Sequence, residues 1–151
     1  MAVRVQAGPF DLAHEIAELK AARTDIGAIA TFTGCVRGDA GGKQLLAMTL
    51  EHYPGMTEAE LARVEAEARE RWPLQDCLVI HRFGRLIPGD DIVLVITLSA
   101  HRQAAFSAAE FLMDYLKTSA PFWKQEELAG GSASWVESKT SDGDAASRWK
   151  R

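Results

Sequence analysis

The chain has 151 residues, enough for one domain that buries its own core. Hydrophobic residues make up 47% and charged residues 25%, the composition of an ordinary globular protein. The formal net charge of -4 speaks against nucleic-acid binding by the surface as a whole, so any anion site must come from local clustering of basic groups. No stretch approaches the roughly 20 apolar residues of a membrane span. Met1 to Phe10 lacks the basic patch and apolar run of a secretory signal. Cys35 and Cys77 stand far apart with no Cys-x-x-Cys spacing, which suggests neither a zinc ribbon nor a disulfide framework. A reducing, cytoplasmic setting is expected.

In chain order, Val3 and Val5 alternate with polar neighbours as a short strand. Leu12, Ile16 and Leu19 recur at helical spacing behind Asp11, a suitable N-cap. Ile26 to Cys35 is rich in β-branched and small residues and predicts a strand. Arg37 to Lys43, with three glycines, predicts a mobile loop. Leu46, Met48 and Leu50 predict a second alternating strand. Thr57 and Glu60 have the spacing of a capping box, opening a helix that buries Leu61, Val64, Ala68 and Trp72 and stops at Pro73.

Cys77 to His81 predicts a further strand, and Pro88-Gly89-Asp90 a turn. Ile92 to Leu98 is nearly all apolar, the pattern of a central strand covered on both faces. Ser99 is placed to cap a third helix with Phe106, Ala109, Met113 and Leu116 on its buried face, ended by Pro121. Ala133 to Glu137 predicts a last strand and Asp144 to Trp149 a short helix. The expected architecture is α+β or α/β in a single domain over 1–151. It has a mixed sheet, about three main helices and a short C-terminal one.

Three groups of residues have chemistry to offer. His101 and Arg102 fall in the first turn of the third helix, where the macrodipole favours negative charge. An anion held between them and the free N–H groups would make sense of that placement, and two solvated side chains are the alternative. Lys117 and Lys124 flank a proline turn carrying Phe122 and Trp123. Aromatic surroundings can tune an ammonium, and a flat heterocycle can stack on such rings. The competing reading is lysines complementing a helix C-terminus beside core aromatics.

Arg37 opens the glycine-rich loop, where a guanidinium can reach a ligand. Gly41-Gly42-Lys43 is not a phosphate loop, because Arg37 stands where its first glycine belongs and Gln44 replaces its Ser or Thr. His14, His52, His81 and His101 show no metal-binding spacing, and His14 and His52 read as structural. Cys35, ending an apolar strand, reads as a small core residue rather than a persulfide carrier.

Several segments carry a resemblance. They are Phe32-Thr33-Gly34-Cys35-Val36-Arg37, Leu50-Glu51-His52-Tyr53-Pro54-Gly55-Met56-Thr57, Ile80-His81-Arg82-Phe83-Gly84, Ser99-Ala100-His101-Arg102, and Met113 to Lys117 continuing through Ala120 to Lys124. In that order and spacing they resemble the catalytic (large) subunits of molybdopterin synthases, the MoaE family, across most of the chain. The resemblance implies an α/β hammerhead-like fold. It also implies a sulfurtransferase that converts cyclic pyranopterin monophosphate into molybdopterin.

The implied sulfur donor is the thiocarboxylate on the C-terminal Gly-Gly of a small ubiquitin-like partner, within a heterotetramer built on a homodimer. Lys117 and Lys124 are the implied catalytic residues. Arg37, His101, Arg102, Lys117, Lys124, Gln125, Glu126, Cys35 and Val36 are the implied substrate contacts. Cys35 and Gln125 depart from the pattern, being uncharged where some relatives carry basic residues. No cofactor, metal, nucleic acid or membrane is implied, since a sulfur anion is already a competent nucleophile.

One expectation is geometric. If Ser99 to Lys117 is one helix, His101 and Lys117 lie roughly 24 Å apart, at about 1.5 Å per residue. A shared site then requires two protomers related by a two-fold axis. Two other functions compete with this one. A non-catalytic module gripping a ubiquitin-like tail would have no need of both lysines. A Schiff-base lysine enzyme acting on a phosphorylated carbonyl compound would be trapped by borohydride.

Overall fold

A computed structural model describes residues 3–131, 133–136 and 140–150. Two sheets form its frame. In the first, β1 (Val3–Gln6), β5 (Leu74–Arg82), β7 (Asp91–Ser99) and β2 (Ala28–Cys35) lie in that order. β1 is parallel to β5, and the other neighbours are antiparallel. In the second, β3 (Asp39–Ala40), β4 (Lys43–His52), β8 (Phe122–Leu128) and β9 (Ala133–Val136) follow one another, and β6 (Gly84–Leu86) pairs with β4. Four helices complete the α+β fold: α1 (Leu12–Lys20), α2 (Met56–Arg71), α3 (Arg102–Thr118) and α4 (Thr140–Ser147).

β7 is covered on both faces, as its unbroken apolar run requires. Val93 and Val95 pack against Leu61, Val64 and Ala68 of α2 and Ala105, Leu112 and Leu116 of α3. Leu94, Ile96 and Leu98 face the other way, against Leu12, Ile16 and Leu19 of α1. Val36, Leu45, Met48, Leu50 and Leu86 make a separate core for the second sheet. The α1 cap is as expected, with Asp11 Oδ1 accepting from the His14 amide at 3.1 Å.

Several local expectations are corrected. The glycine-rich segment is a hairpin rather than a loose loop. Ala40 pairs with Lys43 across Gly41 (φ 59°) and Gly42 (φ 82°), the positive-φ pair that a tight two-residue hairpin turn demands. In β4, Leu46 faces solvent, because a register shift between Leu45 and Ala47 changes the phase of the alternation.

The α2 cap is Gly55 with Glu58, whose carboxylate accepts from the Gly55 amide, not Thr57 with Glu60. Thr57 is fully buried as the second residue of the helix, where its hydroxyl donates to the Tyr53 carbonyl and accepts the Tyr53 amide. Glu60 pairs instead with Arg63.

Ser99 ends β7 and donates its hydroxyl to the Pro73 carbonyl, which leaves His101 as the α3 N-cap. On α3 the core face is Ala105, Ala109, Leu112 and Leu116 with Phe111, while Phe106 is 65% exposed, one position off that stripe. α3 ends at Thr118 with Ser119 as its C-cap, two residues before Pro121. β6 and β8 were not expected. The Asp144–Trp149 helix is observed earlier, at Thr140–Ser147, and Glu137 of the last expected strand lies outside the described residues. Trp149 nonetheless docks on α3, donating from its indole to Asp114 at 2.6 Å.

Candidate functional site

The topology sorts the basic residues into two places. β2 and β7 are antiparallel, with Ala28 opposite Ser99 and Cys35 opposite Asp91. Arg37 follows Cys35, so it lies at the Asp91 end of the first sheet. His101 and Arg102 follow Ser99 at the opposite end, both exposed. α3 packs against β7 and β2 and carries the chain back towards the Asp91 end. Lys117, in its last turn, therefore returns to the end where Arg37 sits. Because α3 is one continuous helix, roughly 24 Å of axis separates Lys117 from His101, at about 1.5 Å per residue.

β8 brings in the second lysine. Lys124 pairs with Leu50 and Glu126 with Met48, so these two share the face of β4 that holds the second core. Gln125, opposite Thr49 and Trp135, belongs to the other face. Val36 is 3% exposed in the core; its N–H donates to the Asp90 carbonyl and its carbonyl accepts from the Gly89 amide. These bonds anchor the chain immediately before Arg37. Cys35 is not the core residue expected: as the last residue of β2 it is exposed, and its thiol donates to Asp91 at 3.3 Å. That bond, with slight desolvation and the Asp91 charge, raises the thiol pKa and holds sulfur in its unreactive form.

Between the lysines lies a ring cluster that sequence reading missed. His81, at the end of β5, is 9% exposed and stacks on Phe122 at 3.8 Å with an interplanar angle of 18°. Phe122 also approaches His52 at 5.9 Å, and His52 meets Phe83 at 4.7 Å. His52 has the expected structural role: its Nδ1 lies 3.2 Å from the Thr57 hydroxyl. That hydroxyl gives its own proton to Tyr53, so Nδ1 is assigned as the donor. Tyr53 and Trp123 pack at 4.6 Å. The only signal for His81 was its place in the Ile80–Gly84 segment; its burial depends on Phe122, which arrives from the other sheet.

His81 carries a pH signature. Burial pushes its pKa down to about 4, helped by the positive charges of Lys117 and His52, while the bond to the Arg82 carbonyl opposes the shift. In the unfolded chain the imidazole takes up its proton near pH 6.5. Stability from the neutral ring is therefore fully present above pH 6.5 and is lost as pH falls towards 4, by about 3 kcal/mol in all. Urea unfolding between pH 7 and pH 4 is expected to show this decline, and His81→Phe to flatten it. Equal slopes for the two chains would assign the acid sensitivity to other groups.

Comparison with known proteins gives a consistent answer. Residues 5–119 match the family model described as MoaE protein. The chain is 58% identical over 149 residues to the molybdopterin synthase catalytic subunit of Mesorhizobium japonicum, covering 98% of this chain and 92% of that protein. Its fold is similar to that of the molybdopterin biosynthesis MoaE protein from Burkholderia ambifaria. That match has a TM-score of 0.82 and 49% identity, over 99% of this chain and 98% of the other. A chain from the complex of subunits 1 and 2 of molybdopterin-converting factor from Helicobacter pylori shares the fold at 18% identity. Its TM-score is 0.72, over 91% of this chain and 90% of that one.

Proposed function

Since the chain belongs to the MoaE family, we propose that it catalyses sulfur transfer to a cyclic pyranopterin monophosphate, giving molybdopterin. The donor is the C-terminal thiocarboxylate of a small ubiquitin-like partner. The thiocarboxylate sulfur attacks an oxygen-bearing carbon of the pyranopterin. A C–O bond at that carbon breaks, with the oxygen leaving as water or staying with the phosphate, and the new C–S bond leaves the partner joined to the pterin as a thioester. Water then attacks the acyl carbon and the acyl C–S bond breaks. The partner departs as a carboxylate and the sulfur stays on the pterin. A second partner molecule repeats the step for the other dithiolene sulfur.

The observation that carries this reading is the return of α3, which brings Lys117 to the end of the fold that holds Arg37. The substrate brings a phosphate and the partner a second anion, so a local basic cluster is what an acidic chain needs. Lys117 stabilises charge building on the acyl oxygen. Lys124 gives acid–base assistance or holds the pterin, and Arg37 binds phosphate. Glu126 shares the Lys124 face. Gln125, on the opposite face, contributes least.

His101 and Arg102 complete the site from a second copy. β2 is an edge strand of the first sheet. Beside it runs a groove of about 520 Å³ lined by Ala30, Phe32, Phe106, Ala109 and Met113, with Phe32 41% exposed. Exposed apolar surface along an unpaired edge is what an isologous contact covers. The groove lies at the midpoint of α3. A two-fold axis there sets each α3 N-terminus near the partner's C-terminus, carrying the partner's His101 and Arg102 towards Lys117.

Among the described residues no helix is long and apolar enough to cross a membrane. A single domain over 1–151 working in the cytoplasm fits this chemistry. Reconstitution tests the reading: the purified chain, thiocarboxylated partner and pyranopterin should yield molybdopterin, and no product from folded components would refute it. Cys35→Ser is expected to keep at least about half the parental rate, because the thiol is held protonated and takes no part in the transfer. A loss of tenfold or more would require Cys35 at the reacting centre.

A further inference from the structure

We propose that His81 is a positioning residue for the two lysines, its ring clamping the short connection that carries Lys117 at one end and Lys124 at the other. The proposal rests on the function proposed above. Between α3 and β8 the main chain is held by few bonds of its own. The Ser119 amide donates to Tyr115, and the Phe122 amide donates to Ala120. The ladder with β4, which begins with Phe122 opposite His52, sets the course of the strand. The side chain that opens the strand is held separately: the ring of Phe122, the first side chain of β8, is stacked face to face on His81.

His81 is itself held rigidly. It pairs with Val5 on one side and Val93 on the other, in a strand interior to the first sheet. Its Nδ1 donates to the Arg82 carbonyl at 2.8 Å, which fixes the plane of the ring. The stack therefore transmits the rigidity of one sheet to the strand of another. Phe122 and Lys124 are two residues apart on one face of β8, so the angle of the Phe122 ring sets where the Lys124 side chain emerges. The ring is also suited by its charge. A buried imidazolium here would repel Lys117, and burial keeps the ring neutral.

The test separates ring from hydrogen bond. His81→Phe keeps a flat ring and loses the donor; His81→Gln keeps polar groups and loses the ring. With thiocarboxylated partner and pyranopterin, His81→Phe is expected to hold kcat within about threefold of the parent. His81→Gln should lose roughly 10- to 100-fold in kcat, with KM for the pterin within about twofold, as a misplaced catalytic group requires. Phe122→Leu, which removes the other ring, should match the glutamine variant.

A second measurement needs no turnover. Lysine ε-methylene NMR signals of Lys117 and Lys124 should shift in His81→Gln while those of Lys20 and Lys43 stay. Unmoved Lys117 and Lys124 signals, or an active glutamine variant beside an inactive phenylalanine one, would overturn the proposal. If the parental chain makes no molybdopterin, the proposed function fails, and the NMR comparison still decides whether His81 positions the lysines.

Discussion

Molybdopterin formation by the Lys117→Ala chain is expected to fall by at least about 10²- to 10³-fold, the loss that follows removal of one preorganised group from a developing oxyanion. The side chain is exposed in the last turn of α3, so its loss leaves the core untouched. A cation there complements the helix dipole by about 0.3–1 kcal/mol, so the melting temperature should move by only a few degrees. Fold and function thus separate cleanly at this residue. Breakdown of the thioester is the step that most needs the charge, because water is a poor nucleophile and negative charge collects on the acyl oxygen. A quenched single-turnover experiment should show the partner–pterin thioester accumulating as product disappears. Turnover within threefold of the parent would remove Lys117 from the reaction.

What was legible in the sequence was the part governed by local pattern. The apolar run of β7 specified a strand with two covered faces, and Asp11 before a helical stripe specified a cap. Where two local signals competed, the tertiary structure chose between them. Thr57 has a good capping spacing with Glu60, yet the positive φ of Gly55 starts the helix earlier and draws Thr57 into the interior. Ser99 is a good cap by type, but β5 and β7 require it as a strand end beneath Pro73.

β8 was not legible because Lys124 to Glu127 is a run of polar residues. It is a strand because β4 and β9 pair with both its edges, a fact of long-range topology. The site divided in the same way. Arg37, Lys117 and Lys124 carry charge and could be suspected from the sequence. His81 matters through a ring 41 positions later in the chain, and no spacing rule reaches that far.

A mixture of two inactive chains provides the strongest test of the shared site. Lys117→Ala leaves His101 intact, and His101→Ala leaves Lys117 intact; each homodimer is expected to be nearly inert. After unfolding and refolding together, random pairing gives heterodimers in which one site carries both lesions and the other carries none. With equal input half the dimers are mixed, each with one intact site of two, so about a quarter of parental activity should return. The recovery should depend on the contact along β2 and α3. Phe32→Glu with Phe106→Glu places like charges where the two copies meet, and these chains should run as monomers and fail to complement. Full failure of the parental pair would mean that His101 serves the chain it belongs to. Since the length of α3 keeps His101 from the Lys117 pocket of its own chain, that result would dissolve the two-copy site and leave His101 bound to some other anion.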